Sequence, residues 1–176
     1  MFRIKFAASL VALGFACAPL PAVSQETGLN IRGCLDAVGT YMTKRSSEQE
    51  GKTRIDRGLI AITNGGHAFV TDSAQGGLEG YQPFSDGRGA WRCLGKQDGK
   101  DKIKIITFDF TTTPNATTDR LIARVTVEAV SDPQTGTISG KSLVEFLAID
   151  ADPYTTDTVR PSVPYDFTGV KLTVGE

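Results

Sequence analysis

The feature that most constrains the fold of this chain is a two-residue alternation of apolar and polar side chains between Arg120 and Val130. The apolar side chains that share one face are Leu121, Ala123, Val125, Val127 and Ala129, and those on the other face are Arg124, Thr126 and Glu128. Because successive side chains of a strand point to opposite faces, this segment is predicted to be a half-buried antiparallel strand.

Seven further segments of apolar or alternating character are separated by turn signals such as Asn64-Gly65-Gly66, Asp98-Gly99 and Asp132–Gly136. The predicted strands are 33–44, 53–63, 67–71, 89–94, 102–111, 120–130, 137–148 and 165–174. In the first of these a helix is the alternative, since Leu35, Val38 and Met42 have helical spacing. Thr40 and Tyr41 favour the strand.

Eight strands with short connections and no crossover helices predict an all-β fold whose strand edges must be hidden. A closed eight-stranded antiparallel barrel and a two-sheet β-sandwich both achieve this. The barrel is favoured because several strands are long and because four of them contain glycines at which a sheet can bend. These glycines are Gly39, Gly89, Gly140 and Gly169.

The first 24 residues have the pattern of an export signal. A basic start at Arg3 and Lys5 precedes an apolar run from Phe6 to Ala18, and Ala22-Val23-Ser24 offers small residues for cleavage before Gln25. We therefore expect a signal peptide at 1–24, a single domain at 25–176, and export to a bacterial periplasm or the extracellular medium. No later apolar run reaches membrane-spanning length, so no membrane insertion is expected after cleavage.

Cleavage would remove Cys17 and leave two cysteines, Cys34 and Cys93. An isolated pair in an oxidising compartment predicts a disulfide. A redox role is disfavoured because the close C-x-x-C spacing is absent. A metal site is disfavoured because His67 is the only further soft ligand. No metal or other cofactor is therefore predicted.

The formal net charge is −1, and the chain has no basic block interleaved with aromatic residues. This composition argues against nucleic-acid binding, which depends on clustered Lys and Arg against phosphates. Oligomeric state is left open by the sequence.

Three segments resemble the calycin-like barrels, and within them the allene oxide cyclase-like or lipocalin-like group of secreted proteins. These segments are Gly39-Thr40-Tyr41, the run from Asp86 to Cys93, and the run from Phe167 to Leu172. Lipocalins proper have Gly-x-Trp in the first strand, where this chain has Gly39-x-Tyr41. The resemblance implies a barrel that can hold a small apolar ligand. It carries no catalytic residue onto this sequence.

Two residues are candidates for acid–base chemistry. His67 follows a hairpin turn and has a suitable side chain, although a lone surface histidine is the more common situation. Asp109 lies between Phe108 and Phe110 and would have a raised pKa if it faced the interior. Because Thr107 shares its face, the pattern favours an Asp109 that points to solvent.

Four residues are candidates for ligand binding, namely Arg88, Trp91, Arg92 and Tyr41. The two arginines could receive a carboxylate at a cavity mouth. The alternative is that Arg88 pairs with a local acid while Trp91 fills a barrel end. The glycine-rich segment 72–88 lacks a phosphate-loop motif and is predicted to be a loop beside an opening.

Three functional hypotheses follow. The leading one is an exported, disulfide-stabilised barrel that binds a small apolar or amphipathic ligand. The second is an isomerase or cyclase that acts inside the barrel through a buried acid such as Asp109. The third is a non-catalytic envelope protein that binds a partner through an exposed apolar patch.

Overall fold

The computed structural model describes residues 31–49, 52–77, 82–112 and 120–175, and the predicted signal peptide lies outside these ranges. A short 3₁₀ helix, Arg32–Ala37, precedes eight strands. The strands are β1 (Gly39–Gln49), β2 (Lys52–Ile62), β3 (His67–Asp72), β4 (Gly87–Gln97), β5 (Lys100–Phe110), β6 (Leu121–Asp132), β7 (Thr137–Ala148) and β8 (Arg160–Lys171).

The eight strands form one closed barrel in sequence order, with every neighbouring pair antiparallel. The predicted all-β barrel is therefore confirmed, and the sandwich alternative is wrong. The barrel closes through pairing of β1 with β8 over Tyr41–Lys44 and Thr168–Lys171.

Alternation along β5 shows how the sequence divides the barrel into two faces. Ile103, Ile105 and Thr107 are completely buried and point inward, whereas Lys102 and Phe110 are exposed on the outside. The same parity holds on β6, whose odd-numbered residues from Leu121 to Ser131 are buried. The apolar core thus occupies the middle of the barrel, as the period-two pattern predicts.

Two predicted elements differ from the structure. Residues 32–37 form a 3₁₀ helix rather than the start of the first strand, and β1 begins at Gly39. At the C-terminal end, β8 starts at Arg160, within the predicted loop, even though it contains Pro161 and Pro164. Pro164 pairs with Leu143 of β7, and Pro161 lies at the irregularity of the β7–β8 register. Neither proline lies in the part of β8 that pairs with β1, so no ladder hydrogen bond to β1 is lost.

Glycines inside the strands permit the close strand contacts of the barrel. A Cβ atom at Gly89 would collide with the backbone carbonyl of Ile106, and one at Gly140 would collide with that of Glu128. Because the obstacle is backbone rather than a flexible side chain, only glycine fits at these two positions. This supports the prediction that strand glycines mark places of tight curvature.

The predicted disulfide is present between Cys34 and Cys93, with their Cα atoms 5.5 Å apart. It joins the 3₁₀ helix to β4, 59 residues further along the chain. Closing a loop of this length is worth about 4 kcal/mol in the chain-entropy description. The bond therefore fixes the helix against one end of the barrel.

Candidate functional site

One end of the barrel is covered by the 3₁₀ helix, and we call it the closed end. It comprises Ala37, Tyr41, Trp91, Asp101 and Ser131, all of which are buried. The Tyr41 hydroxyl donates to the Ala37 carbonyl at 3.0 Å and lies 2.9 Å from Ser131 Oγ. The Ala37 N–H donates to Asp101 Oδ2 at 3.1 Å, and Lys96 Nζ lies 2.8 Å from Asp101 Oδ1. These contacts tie the helix to β1, β5 and β6.

Trp91 and Tyr41, two of the predicted ligand-binding residues, belong to this packed closed end. Trp91 is only 1% exposed, and its indole Nε1 donates to the Thr63 carbonyl at 2.7 Å. Burial raises the pKa of Tyr41, whose hydroxyl is already engaged within the protein. Both side chains are thus positioned as part of the core.

Arg88 and Arg92, the other two ligand-binding candidates, are exposed on the outer face of β4. Trp91 lies on the inward face of the strand, whereas the two arginines lie on the outward face. The arginines therefore do not share a cavity with Trp91. His67 is likewise exposed at the start of β3, where its backbone N–H donates to Thr63 Oγ1 at 3.1 Å. The structure therefore disperses these five candidates, with Trp91 and Tyr41 at the closed end and the other three on the outside.

The opposite end of the interior carries a concentration of polar side chains, which we call the polar end. Its members are Thr43, Arg45, Asp56, Asp72, Thr107, Asp109, Ser142 and Tyr165. They come from six strands, and most are buried or nearly so. Charged groups are rarely buried in a barrel interior unless they are paired or serve a function.

An ion network occupies one side of the polar end. Arg45 Nη1 lies 2.7 Å from Asp72 Oδ2, and Arg45 Nη2 donates to Asp72 Oδ1 at 3.1 Å, so this pair is bidentate. Arg45 Nε also donates to Asp56 Oδ2 at 3.3 Å, while Arg54 Nη2 lies 2.7 Å from Asp56 Oδ1. Burial raises the pKa of Asp72, and the charge of Arg45 opposes this shift. Two guanidinium groups therefore hold two carboxylates.

The barrel wall is least continuous beside this network. The register between β1 and β8 covers only Tyr41–Lys44 against Thr168–Lys171, although both strands continue toward the polar end. Beyond that register the Arg45 guanidinium lies over the ring of Tyr165, 4.7 Å from its centroid. A side-chain contact thus replaces backbone pairing and forms the wall at this seam.

Asp109 faces the interior, and the expectation that it points to solvent is wrong. Its side chain follows the inward parity of Ile105 and Thr107, and the residue is 6% exposed. Burial, followed by the charge of Asp72, raises the pKa of Asp109 to about 7. The sequence argument failed because it treated Thr107 as a mark of the solvent side, whereas Thr107 is itself completely buried.

Three buried polar atoms of the polar end have no hydrogen-bond partner among the described residues. They are Asp109 Oδ1, Thr107 Oγ1 and Ser142 Oγ. Leaving a buried polar group unsatisfied costs about 1–3 kcal/mol. Three such groups in one region therefore indicate either bound water or a site for a ligand.

A partly open space at the polar end has a volume of about 30 Å³. Besides the ion network it is lined by Ser142 and Tyr165 and by an apolar wall. The wall consists of Ile60, Val70, Val125, Val127 and Phe167. Because one water needs about 10–15 Å³ measured in this way, the space holds about two waters or one small polar group. A sizeable apolar molecule does not fit inside the barrel in this conformation.

A larger groove of about 270 Å³ lies outside the closed end, between the 3₁₀ helix and the β6–β7 turn. Its charged side chains have partners within the described part of the chain. Lys171 Nζ donates to the Asp36 carbonyl at 3.1 Å, and Lys100 Nζ lies 3.0 Å from Asp132 Oδ2. This groove therefore lacks the unsatisfied groups that distinguish the polar end.

Arg45, Asp56, Asp72 and Tyr165 were not among the residues singled out from the sequence. A signal for two of them was present: Arg45 shares the parity of Tyr41, and Asp56 shares that of the buried Ile60. Extending the alternation of β1 and β2 to their ends would have placed both charges inside the barrel.

Within the described ranges, no group of three His, Cys, Asp or Glu side chains is arranged to hold a metal ion. No helix in the same ranges is long and apolar enough to cross a membrane.

Comparison with known proteins identifies no relative from which a function could be transferred. No family model, no curated protein and no solved structure matches this chain. Functional inference therefore depends on the geometry of the polar end itself.

Proposed function

We propose that the protein is an exported binding barrel whose ligand site is the polar end. The observation that carries this proposal is the set of unpartnered buried atoms on Asp109, Thr107 and Ser142. Apolar side chains at these positions would stabilise a barrel that had only to fold. The presence of polar side chains at these positions is explained if a ligand supplies the missing hydrogen bonds.

The site favours an amphipathic ligand that inserts a small polar group rather than one that fills the barrel. The space of about 30 Å³ accommodates a polar group of a few atoms at most. Val70 and Phe167 offer apolar contacts in the same space. The short register between β1 and β8 is the place where the rest of the ligand could leave the interior.

Export is the second part of this proposal. The signal-like residues 1–24 motivate it, and the Cys34–Cys93 disulfide fits an oxidising compartment. The resemblance to calycin-like barrels is also a proposal, and it supports a ligand site inside the barrel.

A second candidate function is acid–base catalysis by Asp109. A carboxyl group with a pKa of about 7 is protonated and ionised in similar amounts at neutral pH, which suits a general acid or base. This observation favours the isomerase or cyclase hypothesis, with Thr107 as the nearest inward-facing polar group on the same strand. The binding proposal takes precedence because the three unpartnered atoms require only a bound group.

The third hypothesis, a partner-binding envelope protein, remains a prediction. Phe69 and Phe110 are about half exposed on the outer face, and Tyr154 packs edge-on against Phe108. Arg88 is the cross-strand neighbour of both Phe69 and Phe108, so a charge interrupts this aromatic row.

Native mass spectrometry tests the binding proposal. Protein purified from an oxidising compartment should carry a reproducible extra mass that organic extraction removes. Asp109→Asn should reduce the occupancy at least severalfold, whereas the outer-face control Arg92→Gln should leave it unchanged. A bare mass for all three proteins would contradict the proposal, and a mass two hydrogens below the reduced value would show the disulfide alone.

A further inference from the structure

One carboxyl group of the polar end stands outside the ion network. Arg45 contacts both Asp56 and Asp72, and Arg54 contacts Asp56, so two guanidinium groups face two carboxylates. Asp109 is a third carboxyl group, and its Oδ1 has no partner in the described part of the chain. When Asp109 is ionised, it is therefore a carboxylate that neither of these two guanidinium groups contacts.

The unpartnered atoms specify the kind of group that would complete the site. A carboxylate oxygen accepts hydrogen bonds, and the hydroxyls of Thr107 and Ser142 can accept as well as donate. An ammonium group has three donors and no acceptor, which matches this set. An anion is disfavoured because the carboxylates of Asp72 and Asp109 would repel it.

The available space also favours a compact cation. An ammonium group is close to water in size, and the volume of about 30 Å³ holds about two waters. Asp72 and Val125 line this space, and Val125 is the cross-strand partner of Thr107. Of the three residues with unpartnered atoms, Ser142 lines this space directly, whereas Thr107 and Asp109 do not line it. Thr107 is linked to its wall through Val125, and Asp109 interacts electrostatically with Asp72 of the wall.

The polar end already binds one cation of its own. The Arg45 guanidinium is held by two carboxylates and by the face of Tyr165. Carboxylates combined with an aromatic face are a recurrent way to stabilise a desolvated cation. Asp109 provides a further carboxyl group without such an occupant.

We propose that the polar end binds the primary ammonium group of a small amine, with Asp109 as its counter-ion and Thr107 and Ser142 as additional acceptors. This inference rests on the proposed function and specifies its ligand class. The apolar wall of Ile60, Val70 and Phe167 would contact the first carbon atoms of the amine.

The test is a titration of the disulfide-bonded protein with n-butylammonium at pH 8. Binding is monitored through the amide chemical shifts in ¹H–¹⁵N NMR spectra. n-Butanol serves as the neutral probe of similar shape. The matched control variant is Asp166→Asn, which makes the same charge change at a carboxylate that is 80% exposed on β8. Asp109→Asn tests the counter-ion, and Ser142→Ala provides a second variant at the site.

We expect wild type and Asp166→Asn to show saturable shifts in polar-end residues with n-butylammonium. The affinity for n-butylammonium should fall at least tenfold in Asp109→Asn and severalfold in Ser142→Ala. The affinity of wild type for n-butanol should be no higher than the affinity of Asp109→Asn for n-butylammonium. Affinity should also fall about tenfold from pH 8 to pH 6, because a carboxyl group with a pKa of about 7 is largely protonated at pH 6. Asp72, whose pKa is also raised, titrates in the same direction, whereas Arg45 and Arg54 keep their charge.

Two results would overturn the inference: no saturable shift in wild type, or equal affinity in wild type and Asp109→Asn. If extraction releases a neutral molecule while n-butylammonium does not bind, the binding proposal stands and the amine assignment is wrong. If no molecule is extracted and the amine does not bind, both are wrong.

Discussion

The two ends of this barrel use buried polar groups in opposite ways. At the closed end, the Tyr41 hydroxyl and the Asp101 carboxylate bridge the 3₁₀ helix to the strands. At the polar end, Asp109 Oδ1, Thr107 Oγ1 and Ser142 Oγ have no partner among the described residues. The first arrangement stabilises the fold, whereas the second costs stability and is explained by a bound group.

Burial alone does not identify a site in this molecule. Trp91 and Tyr41 are more deeply buried than Asp109, yet their polar atoms are satisfied. Asp101 Oδ1 at the closed end also lacks a hydrogen bond, but Lys96 lies 2.8 Å from it as an ion-pair partner. The distinguishing property is therefore a buried carboxyl group with neither a hydrogen bond to Oδ1 nor an ion pair among the described residues. Substitutions at the two ends should therefore change the free energy of unfolding in opposite directions.

The largest expected change in the free energy of unfolding follows removal of the disulfide at the closed end. The double variant Cys34→Ser/Cys93→Ser should lower the free energy of unfolding by about 4 kcal/mol, because the unfolded chain regains the entropy of a loop closed by residues 59 positions apart. Urea unfolding of the variant and of oxidised wild type measures this difference. A loss below about 1 kcal/mol would show that the helix is held by its other contacts.

Substitution of Asp109 should change the free energy of unfolding by a similar amount but in the opposite direction. Its pKa is about 7 in the folded protein and near 3.8 when unperturbed. The folded state therefore retains a proton that the unfolded state has lost, and stability falls as pH rises from about 4 to above 7. Asp109→Asn should remove this loss and raise the free energy of unfolding by up to about 4 kcal/mol at pH 8.

The same substitution should have little effect at pH 4, where Asp109 is largely protonated in the folded state. Chemical denaturation of wild type, Asp109→Asn and Asp166→Asn at pH 4, 6 and 8 measures the difference. Equal pH profiles for wild type and Asp109→Asn would contradict a desolvated Asp109.

A smaller loss of stability is expected when one hydrogen-bonding group is removed from the closed end. Tyr41→Phe deletes the hydroxyl that contacts Ala37 and Ser131, and it should lower the free energy of unfolding by about 1–2 kcal/mol. Ser131→Ala in the same background should add little, since the two residues share one contact. Full additivity of the two changes would argue against that coupling.

The smallest expected effect is a gain in stability from a substitution at the polar end. Thr107→Val keeps the shape of the side chain and removes a buried hydroxyl that lacks a described partner, so stability should rise by about 1 kcal/mol. Thermal unfolding at pH 5 measures the change. A loss of stability instead would indicate that the hydroxyl is hydrogen-bonded in solution.

The fold was predictable from the sequence because its signals are local. The alternation from Arg120 to Val130, the turn signals and the strand glycines predict eight strands, and the closed barrel confirms that interpretation. The 3₁₀ helix was only the alternative to a first strand, because six residues are too few to show a clear helical period. The start of β8 was missed because Pro161 and Pro164 are typical of loops unless one strand edge is unpaired.

The site was less predictable because it depends on contacts between distant strands. Asp109 was singled out, but its direction was misjudged since a threonine is equally acceptable on either face. The bidentate pair of Arg45 and Asp72 joins residues 27 positions apart, and no sequence spacing indicates it. Arg88 and Arg92 were given weight because they flank Trp91, although alternation places them on the other face.

The most direct test of the contrast between the two ends is the titration of the Asp109 carboxyl group itself. The ¹³Cγ chemical shift of Asp109, followed by NMR from pH 3 to pH 9 and assigned by comparison with Asp109→Asn, reports its protonation. A midpoint near 7 is the predicted result, because a buried carboxyl group without a cationic partner resists ionisation. A midpoint near 3.8 would show a solvated or paired Asp109 and would contradict the assignment of the polar end as a binding site.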